Sequence, residues 1–460
     1  MSQKNPLLIK NGFVKDQIQG RDTIADILIE HGRIKWIWEH KNSNIPQLPE
    51  KCDVIDASGL IVAPGFIDLH CHLREPGFSE KETIESGTRA AAKGGFTTVC
   101  AMPNTIPAMD NVDMVKWVLN SASENAVIRV LPISAISVER KGEKIVDMQS
   151  LKEAGVVAFS DDGSVLYDVD LMTNALNKSR DLDLPIIQHS EDPMMVGNGV
   201  MHDGKIARKL GIQGISPESE SKIVERDISL TARVDGFLHV AHVSSYLSLE
   251  HIYQAKKAGV RVSAEVTPHH LVFSHESLMG ERGSQYGWPS TSQGSPIWRV
   301  NPPLRDALDV NSLIDALKGD VIDIIATDHA PHTLQDKSGS FSSALPGISG
   351  IETAFALLST TLVDSQKIEM KVLLNKFTAA PASLLPKKYR DDGLGTIIEK
   401  GIADIVLIDP KRDWIVDPDE LLSKGKNTPL AGCTLKGMVI GTVYGGELVF
   451  SDGIRIVNGV

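Results

Sequence analysis

Eight short apolar runs, separated by helix-length amphipathic segments, constrain the fold of this 460-residue chain more than any other feature. Beginning after Pro64-Gly65 they are Phe66–Leu69, Thr97–Ala101, Val127–Pro132, Val156–Ser160, Pro185–Gln188, Phe237–Ala241, Val260–Val266 and Val321–Ala326. Such alternation is the mark of repeated βα units that build a parallel sheet. Eight units within about 260 residues predict an α/β fold, a (β/α)8 TIM-type barrel. Most runs end in polar residues: His70 and His72, Asn104, Asp161 and Asp162, His189, His242, Thr267-Pro268-His269-His270, and Asp328. In barrels of this kind the loops at the carboxyl ends of the strands carry the chemistry. The polar residues therefore mark a candidate site.

The flanks read differently. Leu7–Ile9, Ile24–Ile29 and Ile34–Trp38 are short strand candidates punctuated by Asn11-Gly12 and His31-Gly32. After about residue 393 the same pattern returns in Gly395–Ile398, Ala403–Ile408, Met438–Ile440 and Leu448–Phe450. The expectation is a small β-sandwich built from residues 1–63 and 393–460 beside a hydrolase barrel of residues 64–392. Gly280–Pro296, rich in Gly and Ser, reads as an irregular loop inside the barrel.

Composition narrows the function classes. A net charge of −12 without basic clusters argues against nucleic acid as the partner. Cys52, Cys71, Cys100 and Cys433 form no CxxC pair, which argues against a thiolate zinc site or a disulfide framework. The sequence has no run long enough for a membrane span, and its start has none suited to a secretion signal. A cytoplasmic chain without membrane attachment is expected.

On a strand, residues i and i+2 project to one face, so His70 and His72 can reach a single metal ion. His189 and His242 end two later strands. Alone, each reads as a hydrogen-bonded rim histidine, but four at the strand ends of one barrel point to metal. His239, three residues before His242, faces the other side of its strand. Asp328 is the only carboxylate at its strand end and is placed to ligate metal and to shuttle a proton. An Asp there also suits a helix N-cap. Asp161-Asp162-Gly163 is by itself more often a turn, although a paired-metal site needs a bridging anion that a carboxylate here would supply. Arg74, Asn104 and His332 can hold a substrate carboxylate, Arg74 through a bidentate fork; a rim salt bridge is the plainer reading of Arg74. His269 and His270 suit supporting or structural roles.

Pro64-Gly65-Phe66-Ile67-Asp68-Leu69-His70-Cys71-His72-Leu73-Arg74-Glu75-Pro76-Gly77 closely resembles the dihydroorotase signature. Met102-Pro103-Asn104-Thr105, Ser160-Asp161-Asp162-Gly163, Glu265-Val266-Thr267-Pro268-His269-His270, Asn301-Pro302-Pro303-Leu304-Arg305 and Ala326-Thr327-Asp328-His329-Ala330-Pro331-His332 extend it. The resemblance runs from about Pro64 to Asp409 and is to the longer, type I members of that family in the amidohydrolase superfamily. It implies reversible, zinc-dependent cyclisation of N-carbamoyl-L-aspartate to L-dihydroorotate in pyrimidine synthesis, with two zinc ions per subunit. By motif, His70, His72 and Asp328 would bind one ion, His189 and His242 the other, and Asp162 would bridge them. Asp328 would be the catalytic acid–base. His72, Arg74, Asn104, Asn301, His332 and the Pro346-Gly347 backbone would contact substrate. The resemblance also implies a homo-oligomer, with aspartate carbamoyltransferase as a possible partner. The Gly280–Pro296 loop is longer than usual for the family.

Two rival readings remain. Hydantoinases and allantoinases open other cyclic amides, but dihydropyrimidinases and allantoinases, like some dihydroorotases, bridge their metals with a carboxylated lysine. No lysine lies between Lys152 and Lys178 here. A catalytically silent scaffold for aspartate carbamoyltransferase would have lost metal ligands, and this chain keeps every one.

Overall fold

The computed structural model describes residues 5–42, 47–281, 283–454 and 456–457. All eight apolar runs form strands: β1 (Phe66–Cys71), β2 (Phe96–Ala101), β3 (Arg129–Ser134), β4 (Ala158–Ser160), β5 (Ile186–Gln188), β6 (Leu238–Val240), β7 (Val262–Val266) and β8 (Ile324–Ile325). They pair in sequence order, each parallel to the next. A parallel bridge between Cys71 and His329 brings the last strand's loop back to the first. The Thr327 backbone N–H and hydroxyl both donate to the Asp68 carboxylate, at 2.9 and 2.5 Å, across the same seam.

Side-chain alternation sorts each strand between two cores. Ile67 and Leu69 of β1 point into the barrel with Leu131, Ile133, Ile187 and Ile324, and Leu385 closes the base. Phe66 points outward to the helical layer, where it packs with Phe96, Phe355 and Phe377 at centroid distances of 5.2 to 5.6 Å. The helices of that layer begin at side-chain caps that satisfy free amide groups. Thr83 caps Ile84–Lys93, Asn111 caps Val112–Asn125, Asp168 caps Val169–Leu182, and Ser245 caps Tyr246–Lys257.

The two flanks share one mostly antiparallel sheet. Ile61–Pro64 joins them: it pairs with Leu7–Asp16 on one side and with Ile405–Ile415 on the other. Arg21–Glu30 and Arg33–Glu39 extend the first side, and Thr434–Tyr444 and Glu447–Ser451 the second. Ile9, Ile27, Val62, Ile405 and Leu407 form its core.

One segment departs from the sequence pattern. Gly395–Ile398 is a turn running into irregular backbone, not a strand. Gly393 and Gly395 have φ of 92° and 80°, which breaks the extended backbone. The Asp16 carboxylate anchors the segment instead, accepting from the Thr396 hydroxyl at 2.7 Å and the Ile397 N–H at 2.5 Å. Gly280–Pro296 is irregular as expected, but its Trp288 is buried in an apolar cluster with Phe273, Trp298, Leu430 and Leu435. The Trp288 indole donates to the Thr434 carbonyl at 2.9 Å, fastening the loop to the C-terminal segment. Arg282 lies outside the described residues, as do 1–4, 43–46, 455 and 458–460 of the flanks. Among the described residues no helix is long and apolar enough to cross a membrane.

Candidate active site

Six side chains leave their strands at one rim. His70 lies in β1 and His72 just beyond it, Asp162 after β4, His189 after β5, His242 after β6 and Asp328 after β8. All six are buried. Asp162 is the hub. Its Oδ1 is 3.4 Å from His70 Nε2, 3.7 Å from His242 Nε2 and 3.8 Å from His189 Nδ1. Its Oδ2 is 3.6 Å from His72 Nε2. Asp328 Oδ1 is 3.0 Å from His72 Nε2 and 3.5 Å from His70 Nε2. His189 Nδ1 and His242 Nε2 face each other at 2.9 Å.

The donors fall into two sets that share one carboxylate: His70, His72 and Asp162, and Asp162, His189 and His242. Imidazole and carboxylate donors at this spacing suit zinc and similar divalent ions. Buried His70 Nε2 has no hydrogen-bond partner, while its Nδ1 is held 2.6 Å from Glu265 Oε1. That is how a carboxylate orients a metal-binding imidazole. The residues present therefore fit a pair of divalent cations.

The electrostatics point the same way. Burial pushes the Asp162 and Asp328 carboxyls up, but His70 and its neighbouring imidazoles hold both well below the usual carboxylate range. Burial opposes charge on His70, yet Glu265, Asp162 and Asp328 raise it well above its ordinary value. His189 is pushed up to about 10 against burial, by Asp162 and Glu191. The cluster draws positive charge to its centre, and a proton or a divalent cation supplies it.

Beside the cluster lies a cavity of about 240 Å³ lined by His72, Arg74, Asn104, Asp162, Gly163, His189, His242, Asn301, Asp328, Ala330, His332, Leu345, Pro346 and Gly347. Every residue picked from the sequence as a substrate contact is on that wall. Arg74 Nη2 is 3.4 Å from His332 Nε2, so the two converge at one end. Burial and the Arg74 charge push His332 down to about 3, leaving it neutral. Asn104 and Asn301 are tied to the cluster: Asn104 Oδ1 is 2.8 Å from His72 Nδ1, and Asn301 Nδ2 is 3.3 Å from His189 Nε2. Arg74, His242 and Asp328 have φ of 60°, 31° and 45°. Such left-handed backbone is costly for residues with a Cβ and gathers at functional sites. A larger open groove of about 860 Å³, lined by residues such as Asp110, Val138, Lys144 and Lys178, contains none of these groups.

Other residues singled out in the sequence turn away. Asp161 accepts from the Ile136 and Ser137 N–H groups and the Ser137 hydroxyl, which makes it a turn anchor. His270 is spanned by Thr267 and the Pro302 carbonyl. His329 faces Glu82, and Arg305 donates to Ser244 and the Ile215 carbonyl. His269 stays near the cluster, where burial lowers it to about 4.

Sequence reasoning passed over Glu265. Its two oxygens reach His70 and His239, and Oε1 also accepts the His242 N–H at 3.2 Å. The available signal was a lone carboxylate inside the apolar strand Val262–Val266, because a buried charge requires partners. Glu191 was also missed: its Oε2 accepts from Asn301 at 3.2 Å and lies 3.6 Å from His189 Nε2.

Residues 59–248 match the family model described as dihydro-orotase-like. The chain is 44% identical over 445 residues to the dihydroorotase of Thermoanaerobacter sp. (strain X514), covering 96% of this chain and 97% of that protein. It is 42% identical to the dihydroorotase of Aquifex aeolicus (strain VF5), covering 97% and 99% respectively. The chain belongs to the dihydroorotase family. Like other members it is a hydrolase of cyclic amides. Its fold also resembles solved structures of lower identity. An L-hydantoinase (dihydropyrimidinase) from Arthrobacter aurescens aligns with a TM-score of 0.82 at 22% identity, covering 99% of this chain and 98% of that one. A dihydropyrimidinase from Brevibacillus agri NCHU1002 aligns with a TM-score of 0.80 at 22% identity, covering 98% and 96%. At that identity the likeness concerns the fold alone. In this dihydroorotase-family chain an aspartate, not a lysine, stands between the two histidine pairs.

Proposed function

We propose that the chain interconverts N-carbamoyl-L-aspartate and L-dihydroorotate in pyrimidine synthesis, with two zinc ions per subunit. One observation carries the reading: a single carboxylate, Asp162, lies 3.4 to 3.8 Å from four imidazoles at the mouth of a cavity that also holds Arg74 and His332. His70, His72 and Asp328 would hold one ion, His189 and His242 the other, and Asp162 would bridge them. When bound, the ions supply Lewis acidity for the reacting carbonyl and lower the pKa of water towards ~7.

The protein's own groups do the rest. Arg74, Asn104 and His332 take the substrate carboxylate. Asn301 and the Pro346-Gly347 backbone border the ring, and His72 lines the same wall. In ring opening, Asp328 accepts the proton of the attacking water and delivers it to the ring nitrogen that leaves. In cyclisation it takes a proton from the carbamoyl nitrogen as that nitrogen attacks the side-chain carboxyl. Ring opening releases a net proton, so acid favours cyclisation. A homo-oligomer, a cytoplasmic location, possible association with aspartate carbamoyltransferase, and a barrel of 64–392 flanked by 1–63 and 393–460 belong to the same reading.

The test is a substrate panel. Dihydroorotate should be opened with a kcat/KM far above that for hydantoin, dihydrouracil or allantoin. A preference for any of the latter would overturn the assignment.

A further inference from the structure

We infer that Asn427, in the C-terminal segment outside the barrel, is a positioning residue for substrate binding. The inference rests on the reaction proposed above. Asn427 is buried, and its carboxamide uses its full hydrogen-bonding capacity. Oδ1 accepts from the His332 N–H at 2.8 Å and the Ser349 hydroxyl at 2.7 Å. Nδ2 donates to the Ala330 carbonyl at 3.1 Å and the Gly347 carbonyl at 3.0 Å. Its own carbonyl accepts the Ser349 N–H at 3.1 Å.

These partners belong to two separate stretches, Ala330–His332 and Gly347–Ser349, which bound the loop that follows β8. Both face the cavity, since Ala330, His332, Pro346 and Gly347 line it. One amide therefore sets the spacing between the imidazole assigned to the substrate carboxylate and the backbone assigned to the ring. Space around it is tight. A Cβ on Gly425 would come within 2.7 Å of the His332 nitrogen, and one on Gly347 within 2.7 Å of the Ala330 carbonyl oxygen. Lys337 braces the far limb: its buried ammonium donates to the Arg299, Leu345 and Gly347 carbonyls, each at 3.0 Å. Asn427 bonds to none of the six clustered His and Asp side chains. Its loss should therefore displace bound substrate without disabling proton transfer.

The experiment compares steady-state dihydroorotate hydrolysis by the full-length wild type, Asn427→Asp and Ser349→Ala, each loaded with zinc. Asn427→Asp keeps the accepting oxygen but sets a second oxygen against two carbonyls. Its KM should rise about 10- to 100-fold, with kcat within about threefold of wild type. Ser349→Ala removes one bond of the clamp, and its KM should rise by a smaller factor in the same direction. A purely structural role would lower the melting temperature and the active fraction, reducing kcat at unchanged KM; that result overturns the inference. Should Asn427→Asp not fold, the KM of Ser349→Ala decides, and a wild-type value overturns it. A wild type that does not turn over dihydroorotate would overturn the proposed reaction itself. An active wild type with unaltered variant KM values would overturn only the role of Asn427.

Discussion

A carboxylate buried inside a barrel strand is expensive unless it is paired, and Glu265 is paired with both His70 and His239. By fixing which His70 nitrogen faces the cluster it should raise affinity for a cation. Glu265→Gln should weaken zinc binding about 10- to 100-fold in a competition titration with a chromophoric chelator. Wild-type affinity would contradict that role. Asp328 is the proposed proton carrier, so Asp328→Asn should cut kcat for dihydroorotate by about 10²- to 10⁴-fold. Circular dichroism should show the fold unchanged. The rim histidines and aspartates were legible in the sequence because they follow apolar runs whose ends must share one face of a barrel. Glu265 and Asn427 were not. Their partners lie 195 residues away for His70 and 95 for His332; the apolar strand around Glu265 says that its charge needs partners, but no local pattern says which.

At the scale of elements, the barrel strands were readable because both faces of each are buried, one in the barrel interior and one under helices. Gly395–Ile398 shows where that reasoning stops. Its Ile397 is buried like a strand residue, but a distant Asp16 and two left-handed glycines decide its backbone. The Gly280–Pro296 loop was likewise visible as irregular, while its docking through Trp288 was not. The four phenylalanines between β1, β2 and the helices Ala354–Leu358 and Met370–Phe377 tie the first strands to the last helical layer. Phe377 is fully buried, so Phe377→Ala should lower unfolding free energy by about 3–5 kcal/mol in urea titration. A loss near zero would mean the cluster does not hold the layers together.

For the whole molecule, folding and charge are linked through histidines kept neutral. Burial, reinforced by Arg305 and His275, lowers His202 from 6.5 to about 4. Between those values the unfolded chain binds a proton that the folded chain does not, so acid favours unfolding through this residue. His202→Gln should therefore lose less melting temperature than wild type as pH falls from 6.5 to 4, and parallel curves would contradict it. The C-terminal segment also reaches the site's edge, since Asn427, beyond residue 393, hydrogen-bonds the His332 N–H and the Gly347 carbonyl. Six side chains from five strand ends are placed to cage two cations. Anomalous diffraction at the zinc edge from zinc-loaded crystals tests this directly. Two peaks about 3.5–4 Å apart are expected, one beside His70, His72 and Asp328 and one beside His189 and His242, with Asp162 between. No peak there, or a single peak away from Asp162, would contradict the account.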